Sequence, residues 1–179
     1  MQFIIVNESD NQAQIDYQYI RAFIDRHYPN ARRRVRLTPV FLSGKPHFGK
    51  KEKEINQKIK DYASLNLFGG REKPRQTVVC FFLDVDEGAE AERLNPEIRA
   101  YCKTRGYHLV WFRRDVEEVF LGRQVSDKDK RSEVVSFLRK KKMDALSLEP
   151  FSSPGDSFPA KNGTSNIKDV LDGIFKKYK

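Results

Sequence analysis

The segment from Thr77 to Gly88 carries the clearest structural signal of the chain, and it reads T-V-V-C-F-F-L-D-V-D-E-G. Its first seven residues, Thr77 to Leu83, are apolar or β-branched, and none carries a charge. Such a run is typical of a fully buried strand in a parallel sheet, because helices cover both faces of that kind of strand. The run is followed directly by Asp84, Asp86 and Glu87. In open α/β sheets, ligands bind beyond the carboxyl ends of the strands. The segment therefore predicts a central strand that carries acids to the ligand-binding edge.

Asp84 and Asp86 are two residues apart, so on an extended backbone they share a face. Two carboxylates on one face repel each other unless a cation or protons separate them, and hard divalent cations prefer oxygen ligands. This spacing favours a metal site. The alternative interpretation is a solvated acidic turn that merely follows a core strand.

The rest of the chain alternates predicted strands and helices. Pro39, in the second of the predicted strands, makes the strand assignment weaker, because proline cannot donate a ladder hydrogen bond. It predicts that this strand lies at a sheet edge or contains a bulge. The alternation implies right-handed crossovers and an α/β fold, in which helices sandwich a mainly parallel four-stranded sheet. Besides the central strand, the predicted strands are Phe3–Val6, Arg34–Leu42 and Tyr107–Phe112, and the predicted helices between them are Gln14–Tyr28, Lys51–Ala63 and Glu90–Arg105. Glycines and prolines predict a loop at Ser43–Gly49 and a connection at Leu65–Gln76.

The domain organisation follows from where this alternation stops. We expect a core of residues 1–121 and a C-terminal helical extension of residues 122–179 that packs on the core. In the extension, helical spacing predicts helices at Asp127–Lys142 and Asn166–Tyr178. Thr164 or Ser165 is the predicted cap of the second helix. Prolines, serines and glycines between Leu146 and Gly163 predict an irregular connection.

The net charge of +9 is concentrated in clusters along the chain. Clustered positive charge is the electrostatic footprint of a protein that binds nucleic acid or another polyanion. A membrane surface fits less well, because no segment combines basic residues with a strongly apolar helix face. The bland alternative is an ordinary basic surface. The clusters are Arg32, Arg33, Arg34 and Arg36; Lys50, Lys51 and Lys53; and Arg139, Lys140, Lys141 and Lys142.

Hydropathy and cysteine usage predict a cytoplasmic protein with no membrane span. No apolar run approaches the roughly 18–20 residues that a spanning helix needs. The N-terminus lacks the basic and apolar regions of a signal peptide. Cys80 and Cys102 have no metal-type spacing and indicate reduced thiols, not a disulfide framework.

Acids follow three of the predicted strands. Glu8 follows the first strand, Asp84 and Asp86 follow the central one, and Glu117 or Glu118 follows the last. Because the carboxyl ends of parallel strands share one edge of the sheet, these acids are expected to surround one or two Mg²⁺-sized ions. Ions of this kind position water and stabilise the charge that develops in phosphodiester hydrolysis.

These residues resemble the Toprim domain, the metal-binding α/β fold of topoisomerases, primases and the OLD and RloB-like nucleases. A strand ending in Glu8, a following helix and a later strand ending in the D-x-D of Asp84 and Asp86 carry the resemblance over roughly residues 1–121. The Toprim glutamate is usually followed by glycine, whereas Ser9 follows Glu8 here. The segment V-E-E-V-F-L resembles a stretch of small Toprim proteins in which an acid, here Glu117, precedes a short apolar helix.

The resemblance implies a Mg²⁺- or Mn²⁺-dependent nuclease of bacterial anti-phage defence, sometimes with a separate ATPase partner. It implies that Glu8 is a general base or metal ligand. Asp84 and Asp86 would bind the metal, and Glu87 or Glu117 would complete its shell. The residues expected to contact nucleic acid are Lys45, Arg113 and Arg114 at the scissile phosphate, and Arg33 and Lys50 along the backbone.

Two alternative functions remain open from the sequence. Haloacid-dehalogenase-type phosphatases place D-x-D-x-[TV] after their first strand. Here the pair follows a middle strand, and Gly88 stands at the Thr or Val position. The other alternative is a non-catalytic Toprim-like module that binds nucleic acid or a protein partner.

Overall fold

The computed structural model describes residues 1–65, 76–153 and 158–176. Within these residues the strands are β1 (Gln2–Asn7), β2 (Arg36–Phe41), β3 (Thr77–Val85) and β4 (His108–Arg113). They form one sheet, all parallel, in the order β2-β1-β3-β4. The predicted α/β class, with a Rossmann-like parallel sheet, is confirmed. Most of the connection predicted at Leu65–Gln76 and the end of the helix predicted to reach Tyr178 lie outside the described residues.

The two central strands, β1 and β3, form the topological switch point of the sheet. The chain leaves β1 toward β2 on one side and later returns to β3 on the other. Asn7, the last residue of β1, pairs with Phe82, so β3 continues past β1 from Leu83 to Val85. That extension pairs with β4, and it places Asp84 directly beyond the end of β1. A crevice at such a point is where open α/β folds bind ligands.

Helices cover both faces of the sheet. They are α1 (Ile15–His27), α2 (Pro29–Arg34), α3 (Glu52–Ser64), α4 (Ala89–Arg105), α5 (Val116–Leu121), α6 (Lys130–Arg139) and α7 (Ile167–Phe175). One core joins Phe3 and Phe82 of the sheet to α1, α2, α5, α6 and α7. The other core joins Ile4 and Phe81, on the opposite face, to α3 and α4.

Local details modify several predicted elements. Pro39 lies in β2, an edge strand of the sheet, as its missing N–H requires. The segment 43–49, predicted as a loop, instead contributes to a 3-10 helix at Lys45–Lys51, which continues directly into α3. The helix predicted over Asp127–Lys142 is shorter, and it is α6. At α7, the Ser165 hydroxyl accepts a hydrogen bond from the Ile167 N–H at 3.1 Å, so one of the two predicted capping residues binds the helix start.

The C-terminal residues close the free edge of β4. Ser165 pairs with Phe112 in an antiparallel bridge. The Asn166 side-chain oxygen accepts a hydrogen bond from the Trp111 N–H at 2.8 Å. Phe175 of α7 contacts Phe3 of β1, with ring centroids 5.1 Å apart. The C-terminal part therefore packs into the same core as the N-terminal strand β1.

Two expectations from composition concern membranes and thiols. In the described part of the chain, no helix combines the length and the apolar character needed to cross a bilayer. Cys80 and Cys102 are both buried free thiols. They lie in the cores on opposite faces of the sheet.

Candidate functional site

Glu8 and Asp84 lie together at the carboxyl edge of the sheet. The Asp84 N–H donates a hydrogen bond to Glu8 Oε1 at 2.7 Å. Glu8 follows the end of β1, and Asp84 belongs to the extension of β3 past β1. The Glu8 side chain thus accepts a hydrogen bond from a backbone N–H of β3 that lies past the end of β1. Two of the predicted catalytic residues are therefore brought into contact by the pairing of β1 with β3.

Lys45 connects Glu8 to Asp86. Its ammonium nitrogen lies 2.5 Å from Asp86 Oδ2 and 4.0 Å from Glu8 Oε1. Lys45 is only 3% exposed, whereas the Asp86 side chain is 54% exposed. The segment before Lys45 is fixed to the same edge, because the Gly44 N–H donates to the Glu8 carbonyl at 3.1 Å. Lys45, predicted as a phosphate contact, is thus a buried partner of the acids in this structure.

Burial changes the ionisation of the two acids in contact. It raises the pKa of Glu8 to about 7, although the Lys45 ammonium and the hydrogen bond from Asp84 act in the opposite direction. Burial also raises the pKa of the Asp84 carboxyl well above its usual value, and the neighbouring charge of Glu8 adds to that rise. Desolvation disfavours the charged form of any carboxyl, so both groups bind protons more readily than exposed acids do.

A second group of acids lies beside Asp84, near the starts of α1 and α5. It contains Glu117, which is only 2% exposed and whose pKa burial raises to about 7. Lys130 of α6 places its ammonium 3.7 Å from Glu117 and 3.9 Å from Asp115. The electrostatic neighbours of Asp84 include Asp16, Asp115 and Glu117. The predicted ligand Glu117 is therefore near Asp84, together with a lysine that the sequence analysis did not identify.

Asp16 is a second residue of this edge that was not predicted from the sequence. Its carboxylate accepts a hydrogen bond from the Ser9 N–H at 2.9 Å, and its own N–H donates to the Ser9 hydroxyl at 2.9 Å. This reciprocal pair joins the chain after β1 to the start of α1. Burial raises the pKa of Asp16. The seven-residue separation matches no local capping pattern, so only the fold reveals the contact.

The remaining predicted residues of this edge lie on its rim. Glu87 is exposed and lies 3.6 Å from an Arg113 nitrogen. Arg114 has a positive φ of 67° and lies 4.0 Å from Glu118. With the Asn162 amide turned to satisfy both groups, its oxygen accepts hydrogen bonds from Arg114 at 3.0 and 3.2 Å. Arg113, the last residue of β4, and Arg114, which follows it, thus lie at the acidic edge.

The structure separates the two predicted backbone-binding residues. Lys50 is exposed and lies in the 3-10 helix that begins at Lys45, near the carboxyl edge. Arg33 is exposed in α2, which ends just before β2 begins, so it lies at the opposite, amino edge of the sheet. Arg33 is therefore not brought together with the acids.

The donor atoms at the carboxyl edge are carboxylate oxygens, which suit a hard ion such as Mg²⁺ or Mn²⁺. Among the described residues, however, no three Asp, Glu, His or Cys side chains gather at the spacing that holds a metal ion. Instead, Lys45 and Lys130 lie against the carboxylates. The oxygen donors at this edge suit such an ion, but the carboxylates would have to move closer together to bind it.

No family model matches this chain, and neither a curated protein nor a solved structure matches it.

Proposed function

We propose that this chain hydrolyses phosphodiester bonds in nucleic acid as a Mg²⁺- or Mn²⁺-dependent, Toprim-like nuclease. The observation that carries the proposal is the 2.7 Å hydrogen bond between Asp84 and Glu8 at the switch point of a parallel sheet. It brings together the two acids on which the Toprim resemblance depends. Asp86 lies beside them, linked through Lys45.

In this proposal Asp84 and Asp86 hold the ion, and Glu87 or Glu117 completes its ligand shell. The carboxylate chemistry supports this assignment, and Glu117 is an electrostatic neighbour of Asp84. A bound ion would supply an activated water and would stabilise the charge developing on the phosphate.

Glu8 is proposed as the general base. A base works best when its pKa lies near the working pH, and burial brings the pKa of Glu8 to about 7. The Asp84 N–H occupies Oε1 of Glu8. We therefore assign to Oε2 the proton taken from the attacking water.

The cationic side chains at this edge are proposed to hold the scissile phosphate. Arg113 and Arg114 lie 3.6 Å from Glu87 and 4.0 Å from Glu118. Both distances are longer than that of a direct hydrogen bond, and each pair is partly open to solvent, so a phosphate can replace these partners. Lys45 would take the same role if its present partner, Asp86, were a ligand of a bound metal.

The experiment is a cleavage assay on DNA, RNA and tRNA with Mg²⁺ or Mn²⁺. Wild type is compared with Glu8→Gln and Asp84→Asn, which keep the size of each side chain. Removing a general base typically costs about 10²–10⁴-fold in rate, and we expect a loss of that order in Glu8→Gln. Asp84→Asn should also lose activity, because it removes a carboxylate ligand of the ion. We expect little loss in Asp61→Asn, an exposed change on α3. Equal rates in all four proteins would refute the proposal.

A second function is favoured by one observation, the buried Lys45 between Glu8 and Asp86. An internal ammonium can neutralise these acids without a metal, as in a Toprim-like module that only binds nucleic acid or a protein. Binding of nucleic acid that is unchanged by EDTA, with no cleavage by wild type, would support the module over the nuclease.

The Toprim resemblance also supports a proposal for the cellular role of this chain. It favours a cytoplasmic protein of bacterial anti-phage defence with a separate ATPase partner. Affinity purification of the tagged chain from its host, with and without phage infection, tests for that partner.

A further inference from the structure

Lys130 is the first residue of α6, and it brings a positive charge from the C-terminal part of the chain to the acidic edge. Its ammonium nitrogen lies 3.7 Å from Glu117 Oε2 and 3.9 Å from Asp115 Oδ2. A third carboxylate, that of Asp127, is 3.5 Å away. Asp84 is a further electrostatic neighbour of this ammonium. Lys130 thus lies against the candidate metal ligand Glu117, but the proposed hydrolysis does not use it.

Glu117 depends on this lysine for its counter-charge. The Glu117 side chain is only 2% exposed, and that of Lys130 is 23% exposed. A carboxylate that is shielded from water needs a nearby opposite charge or a proton. Among the residues that the structure describes, no other cation comes within 4.0 Å of Glu117. The Lys130 ammonium therefore supplies the positive charge that a bound ion would otherwise have to supply.

The packing of α6 holds the ammonium in this place. Val134 and Phe137 belong to the core that α6 shares with α1 and α5 on one face of the sheet. Phe48, which lies in the 3-10 helix that begins at Lys45, packs against the core on the opposite face. Lys130 and Lys45 therefore approach the acidic edge from opposite faces of the sheet.

A divalent ion and the Lys130 ammonium exclude each other at Glu117. Oxygen ligands lie about 2–2.6 Å from such an ion, so an ion bound to Glu117 would lie within a few ångströms of the ammonium. The ammonium of a lysine is charged at neutral pH. Like charges at such a separation repel strongly in a site with little water.

Glu87, the other candidate for the last metal ligand, has no such obstacle. Its side chain is 62% exposed. The Arg113 nitrogen beside it is 3.6 Å away, which is longer than a direct hydrogen bond. Glu87 can therefore turn toward an ion held by its neighbour Asp86 without leaving a buried cation unpaired.

We propose that Lys130 neutralises Glu117 and so excludes it from the metal shell. The ion is then confined to Asp84 and Asp86, and Glu87 completes its shell. Lys130 is a positioning residue, because it acts through Glu117 and not on the phosphate. This inference rests on the proposed function and decides which acid is the last metal ligand. It also gives the C-terminal part of the chain a role at the acidic edge.

Glutamine substitutions at the two candidate ligands test the inference. Mn²⁺ binding is followed by electron paramagnetic resonance of the free ion in wild type, Glu87→Gln and Glu117→Gln. Glu87→Gln should weaken Mn²⁺ binding at least about tenfold, as disturbance of a metal shell typically does. Glu117→Gln should bind Mn²⁺ as wild type does. Glu97→Gln, at an exposed site on α4, is the matched control.

Substitutions of Lys130 itself test its charge. Lys130→Met should bind Mn²⁺ about tenfold tighter, because Glu117 becomes available to the ion. This gain should vanish when Glu117→Gln is added to the same chain. Lys130→Arg keeps the charge and should bind Mn²⁺ as wild type does. Lys128→Met makes the same change of net charge as Lys130→Met at an exposed site and is the control.

Two outcomes would overturn the inference. One is a Glu117→Gln variant that loses as much Mn²⁺ affinity as Asp84→Asn does. The other is a folded Lys130→Met variant that binds Mn²⁺ no tighter than Lys128→Met. Circular dichroism checks the folding of each variant. If Lys130→Met does not fold, the comparison of Glu87→Gln with Glu117→Gln decides.

The same measurements separate this inference from the proposed nuclease. The expected Mn²⁺ pattern without cleavage of any nucleic acid would support the role of Lys130 and refute the nuclease. Cleavage that is lost in Glu117→Gln, together with its Mn²⁺ affinity, would overturn the role of Lys130 and support the nuclease. No Mn²⁺ binding by any of the proteins would refute both.

Discussion

The Asp84 N–H donates to Glu8 Oε1 at 2.7 Å, and this bond links the ends of the two central strands. It means that Glu8 is both a proposed functional acid and a structural partner of β3. A glutamine at position 8 can still accept this hydrogen bond, but an alanine cannot. An unpaired buried N–H costs about 1–3 kcal/mol, so Glu8→Gln is the cleaner probe of function.

The pH dependence of stability should reveal the buried acids. Glu8 and Glu117 have pKa values of about 7 in the folded chain, against 4.5 for an ordinary glutamate. Between these values the folded chain retains protons that the unfolded chain has released. The free energy of unfolding should therefore fall as pH rises from about 4.5 to 7, by roughly 2–3 kcal/mol at most for each carboxyl.

Urea unfolding at a series of pH values measures this slope. Glu8→Gln should flatten it and should be more stable than wild type above pH 7. Glu97→Gln makes the same change of net charge at an exposed site on α4 and is the control. A slope reduced equally by both variants would contradict the prediction.

Replacing Lys45 should raise the pKa of Glu8 further. The ammonium lowers the pKa of Glu8, so Lys45→Met should raise that pKa above its present value of about 7. It also leaves Asp86 without its partner. Because Asp86 is half-exposed, we expect a loss of stability of about 1–2 kcal/mol at neutral pH.

Carboxyl carbon NMR of Glu8 through a pH titration checks the direction of the shift. Lys50→Met removes an exposed lysine of the same 3-10 helix and is the matched control. A Glu8 titration that is unchanged in Lys45→Met would show that the ammonium is not its electrostatic partner.

Divalent ions should stabilise the folded chain if the acids converge on them. A ligand that binds only the folded state at one hundred times its Kd adds about 2.7 kcal/mol. We expect millimolar Mg²⁺ or Mn²⁺ to raise Tm in wild type and Asp61→Asn but not in Asp84→Asn. Thermal unfolding with and without EDTA measures the effect. A Tm increase that persists in Asp84→Asn would place the ion elsewhere.

The two predicted backbone-binding residues should differ in importance because they lie at opposite edges. Lys50 lies near the acids, whereas Arg33 lies at the amino edge. For a short oligonucleotide bound at the carboxyl edge, Lys50→Ala should weaken binding and lower the salt slope by about one, and Arg33→Ala should do neither. Fluorescence anisotropy at several salt concentrations measures both. A larger effect of Arg33→Ala would move the binding surface to the amino edge.

The fold class was predictable because its signals are local. The uncharged run from Thr77 to Leu83 can be satisfied only by burial on both faces, and it became the central strand β3. The missing N–H of Pro39 assigned β2 to an edge, and the sheet order agrees. The 3-10 helix at Lys45–Lys51 was predicted as a loop, because Gly44 and Pro46 are turn-forming residues and such residues also suit short 3-10 helices.

The candidate site was predictable only in part. Acids at the ends of parallel strands share an edge by geometry, so the position of Glu8, Asp84 and Asp86 at the carboxyl edge could be read from the sequence. Their partners could not, because these depend on how the chain packs. The register of β1 and β3 directed the Asp84 N–H at Glu8, and packing on the two faces brought in Lys45, Asp16 and Lys130. Strand ends are set by local polarity, whereas the charges that face one another depend on contacts between residues far apart in the chain.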